Sequence, residues 1–197
     1  MPNWCSNSIT ISGSTETIKT LWDDAQTNWK NEDYGLLDAM VPMPKALKGT
    51  TSPAPDDGSQ PYVDGHTNWY DWCVANWGTK WDVSDEGLEY VDNEDGTSSI
   101  VGYMDTAWAP PIEAYNKFLD DMDGVSIEAT YHEPGMDFLG EYIDGDDNFY
   151  DGLVELIEGG AMQDDEVLAR LVEDYAIEED MAMWAEENAE ENAETVQ

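Results

Sequence analysis

The chain has 197 residues, of which 45 are acidic and 7 basic, for a formal net charge of −38. Such a surface repels nucleic-acid phosphates and anionic lipid headgroups, so it speaks against direct nucleic-acid or membrane binding and for basic proteins or cations as partners. With 41% hydrophobic residues, nine tryptophans and ten tyrosines it is still a folding sequence, long enough for one domain and an appendage.

No stretch reads as a secretory leader, and no apolar run approaches the ~18 residues of a membrane helix. Cys5 and Cys73 lie far apart and suit buried thiols in a reducing cytosol, so a cytoplasmic location is expected. The charge is skewed along the chain. Residues 1–119 hold 19 acidic and 6 basic side chains, whereas residues 120–197 hold 26 acidic ones and a single base, Arg170. An acidic C-terminal module following a more ordinary domain is the organisation this suggests.

In chain order, "SNSITISG" (6–13) alternates as a strand closed by Gly13. "STETIKTLWDDAQTNW" (14–29) opens on a Ser14 or Thr15 cap and sets Ile18, Leu21, Trp22, Ala25 and Trp29 on one helical face. Residues 41–66 carry five of the nine prolines and must form a long irregular loop. "NWYDWCVANWGTKWDV" (68–83) reads as a helix with Trp69, Trp72, Cys73 and Trp77 in an apolar stripe, ended by Gly78 and followed by a strand at "TKWDV". Residues 88–108 form two strands around "NEDG", then a helix at "PIEAYNKFLDDMDG" turns Ile112, Tyr115, Phe118, Leu119 and Met122 inward. "VSIEATYHE" (125–133) is a further strand, and "GMDFLGEYIDGDDNFY" suggests another hairpin. The order predicts an α+β, ferredoxin-like antiparallel sheet with helices packed on one face, over residues 1–143. Residues 144–197 form an acidic helical extension, with a helix at "YDGLVELIE" and a long one from residue 164 whose stripe is Val167, Leu168, Leu171, Val172 and Tyr175.

Several of these segments, "MPNWCSN" at the start, "PMP" (42–44), "NWGTKWD" (76–82), "TAWAPP" (106–111) and "EPGMDFLGEY" (133–142), resemble a phage and plasmid family known as the Api-ninety-two-like proteins. The resemblance covers roughly residues 1–143. It implies a ferredoxin-like fold without an iron–sulfur cluster and a mobile-element origin, and it implies no activity or catalytic residue.

The tryptophan-rich stretch admits two readings. Trp69, Trp72, Trp77 and Trp81 are a candidate ligand wall, since aromatic faces stack bases and sugars. That mode needs a basic groove, and only Lys80 is nearby among Asp71, Asp82, Asp85 and Glu86, so core is the favoured assignment. Metal and catalytic signals are weak. A calcium-loop register from Asp147 places Asp151, Gly152 and Glu158 correctly but Phe149 where an oxygen ligand is required. His66 and His132 have no spacing to Cys73 that marks a nucleophile and base. No enzyme activity, metal or cofactor is expected.

The charge itself remains. From Glu178 to Glu194 there are eight carboxylates in 17 residues. As a helix that span is about 25 Å, or about one charge per 3 Å, against ~3.4 Å along one strand of duplex DNA. Glu186, Glu187, Glu190, Glu191 and Glu194 share a face on which like charges weaken a helix by a few tenths of a kcal/mol per pair. The expected function is DNA-mimic binding and inhibition of a host nucleic-acid-binding protein with a basic groove. Its contact residues would be those five with Glu178, Glu179 and Asp180, together with Asp137, Glu141, Asp144, Asp146, Asp147 and Asp151. The competing reading is that the charge only solvates the protein or adapts it to high salt. The folded domain would then bind a small ligand or protein through the Trp-rich region.

Overall fold

Alternation of Cys5, Asn7, Ile9 and Ile11 with serines and threonines makes β1 (Trp4–Ser14) an inner strand with one buried and one polar face. The computed structural model, which describes residues 3–31 and 34–183, places it in a six-stranded antiparallel sheet. The other strands are β2 (Leu88–Asp92), β3 (Thr97–Ala107), β4 (Ser126–Glu133), β5 (Phe138–Ile143) and β6 (Asp146–Asp151), in the order β2-β3-β1-β4-β5-β6. Register pairs Ile11 with both Ile100 and Ile127, so apolar residues of three strands meet on one face.

Helices α1 (Thr15–Lys30), α2 (Leu36–Met40), α3 (Trp69–Trp77) and α4 (Ile112–Asp121) contribute to the core on that face. Ser14 caps α1 by accepting from the Thr17 N–H, and the helix buries Ile18, Leu21 and Ala25. α4 buries Ala114, Tyr115 and Phe118, but Met122 beyond its end is exposed. The 41–66 segment is irregular as expected, yet two of its early residues are not surface. Met43 and Leu47 are buried in the core, and Gln60 ties the loop together by donating to the carbonyls of Thr51 and Thr67.

Three elements depart from the sequence expectation. First, "TKWDV" is not a strand, because its Asp82 carboxylate accepts from the N–H groups of Gly35, Leu37 and Asp38 and docks the segment on α2. Second, the long C-terminal helix is broken. α5 (Leu153–Glu158) and a 3-10 turn (Ala161–Gln163) precede α6 (Glu166–Asp174), which ends before Ala176 at φ 51°, and helix resumes over 177–183. Third, helices do not lie on one face only. Tyr142 belongs to the main core and Leu139, three residues earlier on β5, to the opposite face. There Leu139 packs with Leu153, Leu168, Leu171, Val172 and Ile177. The stripe on α6 was visible in the sequence, but not the side of the sheet it covers.

The β5–β6 hairpin turns on Asp144 (φ 48°) and Gly145 (φ 103°), the paired left-handed conformations of a two-residue loop that Asp-Gly favours. β6 thus continues the same sheet past residue 143. Ending the chain at Ile143 would uncover Leu139, worth about 1.5–3 kcal/mol for a fully buried leucine, and remove Asp147, which accepts from the Tyr131 hydroxyl at 2.6 Å. The fragment is expected to lose about 3 kcal/mol or more in urea unfolding; a fragment as stable as the full chain would show that the extension adds nothing to the sheet.

Candidate binding surfaces

Helix α3 answers the question of the tryptophans residue by residue. Asn68 caps it through the Asp71 N–H and Gly78, at φ 84°, ends it. Trp72 and Trp77 point into the core, 4% and 0% exposed, in edge contact at 5.5 Å. Trp77 also donates its indole N–H to the Val41 carbonyl at 2.9 Å. They form no ligand wall. Trp69 is partly buried against the same core, its ring edge on Tyr70 at 5.8 Å. Trp81 differs: it is 37% exposed and lies 6.0 Å from Trp4, itself 48% exposed.

These two rings belong to a cleft of about 620 Å³ that also takes in Tyr103, Glu86 and Asp105. β3 makes the cleft because it is longer than its neighbour. β2 pairs only as far as Leu88 opposite Gly102, and β3 runs on to Ala107. Beside the cleft, Lys80 is held by rings rather than carboxylates, its ammonium 4.2 Å from the Trp81 centroid, 5.1 Å from Trp108 and 5.9 Å from Tyr70. Sequence reasoning missed Trp4, Tyr103 and Asp105, and took Glu86 only as a charge speaking against a ligand wall. Period two on β3 carried part of the signal, since it turns Tyr103 and Asp105 away from buried Met104.

The acidic residues named from sequence divide into structural and free groups. Asp144 accepts from the Ile127 N–H (2.7 Å) and the Ser126 hydroxyl (3.0 Å), Asp147 from Tyr131, and Glu141 from Arg170, so these three stabilise the fold. Asp146 and Asp151 are exposed on β6, a sheet edge where carboxylates also discourage pairing with another strand. Glu178, Glu179 and Asp180 are exposed on the 177–183 helix. That helix brings Asp180 and Asp137 together, on a cleft of about 380 Å³ with His132, Ile177 and Met181. Burial pushes His132 below its usual pKa, while Asp180, Glu133 and Asp137 act in the other direction. Glu186, Glu187, Glu190, Glu191 and Glu194 lie outside the described residues.

The chemistry-bearing groups considered from sequence are dispersed. Cys5 and Cys73 are free and buried, and burial raises both thiols, Cys5 to about 12, which suppresses the thiolate. His66 sits in a small bridge with Val63 and His132 on β4, its ring 5.4 Å from Tyr175. The calcium-loop register from Asp147 to Glu158 instead spans the end of β6, Gly152 and α5, with Asp147 bonded to Tyr131. Among the described residues no helix is long and apolar enough to cross a membrane.

No family model and no curated protein matches the chain. A solved structure, the crystal structure of the protein api92 from Yersinia pseudotuberculosis, aligns with 45% of this chain at 20% identity and a TM-score of 0.32. The alignment takes in 32% of that protein, so the chain spans about a third of its length, and the likeness is a distant one.

Proposed function

We propose that the chain is a non-enzymatic binding protein that offers its acidic surface to the basic groove of a nucleic-acid-binding protein and so keeps nucleic acid out. The observation that carries this reading is the surplus of solvent-facing carboxylates. Lys19 is engaged with Asp23, Lys48 with Asp38, and Arg170 with Glu141 and Asp174, while Asp146, Asp151, Glu178, Glu179 and Asp180 remain open to a partner. Folding gains nothing from so many like charges, whereas a basic groove gains both attraction and the release of counterions.

The strand order β2-β3-β1-β4, with α1–α3 between β1 and β2 and α4 between β3 and β4, supports a ferredoxin-like core, enlarged by α2 and α3, in which β5 and β6 extend the sheet. With the phage and plasmid character of the family the sequence resembles, a host defence, repair or transcription protein in the cytoplasm is the proposed target. The second reading, a ligand or protein bound through the Trp-rich region, is favoured by the cleft at Trp4 and Trp81.

Changing Asp146, Asp151, Glu178, Glu179 and Asp180 together to their amides tests the first reading. Melting is expected to stay the same or rise, because repulsion is relieved. Capture of partner from a lysate of the native host is expected to weaken about tenfold or more and to lose much of its salt dependence. Unchanged capture with unchanged salt dependence would leave these carboxylates a solvating role.

A further inference from the structure

The cleft beside β3 combines three features that the fold does not need. Its aromatic members are exposed, with Trp4 at 48%, Trp81 at 37% and Tyr103 at 73%. It carries the Glu86 and Asp105 carboxylates, and the Asp105 carboxylate accepts from the Ser6 hydroxyl at 3.1 Å. The same ring system already holds one ammonium, since Lys80 rests on Trp81, Trp108 and Tyr70 without being part of the cleft lining.

The backbone adds a fourth feature. Tyr103 donates its N–H outward to the Gly87 carbonyl at 2.9 Å, and Ala107 donates outward to the Thr79 hydroxyl at 3.1 Å. Strand alternation puts the Asp105 N–H and C=O on that same outer edge, between the two, where β2 has already ended. An extended segment can therefore hydrogen-bond to β3 at Asp105 while it places a side chain against the tryptophans.

We propose that this cleft seats an arginine side chain carried on an extended, basic segment of the partner protein. The guanidinium stacks on the Trp4–Trp81 pair and bonds to Glu86 or Asp105, a combination of planar stacking and forked donation that suits arginine better than lysine. This assignment rests on the reading of the partner as a basic protein and gives that partner one specific anchor within a diffuse electrostatic contact.

The test uses the full chain and the capped tripeptide acetyl-Gly-Arg-Gly-amide at physiological salt, followed by the indole N–H signals in nitrogen–proton NMR spectra. Saturable shifts are expected at the Trp4 and Trp81 indoles and the Asp105 amide, with Trp77 unmoved. The citrulline counterpart, which keeps the shape and loses the charge, should bind at least about tenfold more weakly. Trp81→Ala, and separately Trp4→Ala, should abolish the shifts, and the double variant E86Q/D105N should weaken them about tenfold. These side chains are exposed enough for the variants to fold, and Y103A, at the most exposed of the three rings, provides a further variant whose binding should drop.

Equal binding of the citrulline peptide would overturn the proposal. So would shifts that spread without saturating over the acidic surface, or binding that survives loss of Trp81. The broader acidic-surface reading fails by a separate result, the unchanged capture of partner by the amide variant, so the two failures are distinguishable.

Discussion

Replacing Trp77 with alanine is expected to cost about 3–5 kcal/mol of folding stability, the range for removing a large buried aromatic side chain. The side chain is fully buried, packs edge-on against Trp72 and Tyr34, and satisfies the Val41 carbonyl through its indole N–H. Its removal opens a cavity beside Trp72, Tyr34 and Val41 and leaves the Val41 carbonyl without its donor. A cavity of this kind relaxes only in part, so urea unfolding should move sharply to lower denaturant with the same slope. A variant that unfolds like the original but no longer binds a partner would instead make Trp77 part of a recognition surface.

Asp82 is expected to have an effect of similar size from the opposite kind of chemistry. Its carboxylate accepts from four N–H groups, those of Gly35, Leu37, Asp38 and Val83, at 2.7–2.8 Å. Three of these donors belong to the start of α2, a helix of five residues that forms because this carboxylate satisfies its N-terminus. D82A leaves those donors without an acceptor and should cost about 3 kcal/mol. The pH dependence has a definite sign. Burial pushes the Asp82 carboxyl up to about 6, although the four N–H groups favour its charged form. The folded state therefore binds more protons than the unfolded chain between the ordinary carboxyl pKa and about 6. The stability that linkage contributes is present in full below that window and is lost as pH rises through 6. The stability gap between the original protein and D82N should narrow from pH 4 to pH 7; a gap that widens would show that Asp82 is held as a carboxylate throughout.

What was legible in the sequence was local. The caps at Ser14 and the stop at Gly78 sit where side-chain oxygen and glycine place them, and the Asp-Gly pair at 144–145 sets the last hairpin. Helix α2 was not legible, because "LLDAM" is too short to show a period and owes its shape to a residue more than forty positions away. The side of the sheet taken by α6 was hidden for a related reason: a stripe shows that a face is buried and not against what. For the candidate surface, composition announced the acidity but could not separate Asp144, Asp147 and Glu141, which hold strands and turns together, from carboxylates free to meet a partner. The cleft joins Trp4 to Trp81 through the end of β3, a neighbourhood that only the strand pairing of Trp4 with Ala107 creates.

Competition with DNA decides whether this chain occupies a groove built for nucleic acid, as proposed. Proteins captured by the immobilised chain from a lysate of its native host would be challenged with increasing duplex DNA at constant ionic strength. A partner held through its groove binds DNA by itself and is released stoichiometrically as the duplex fills that groove. A captured partner that stays bound under saturating DNA, forming a complex of all three, would place the contact outside the groove and rule out mimicry.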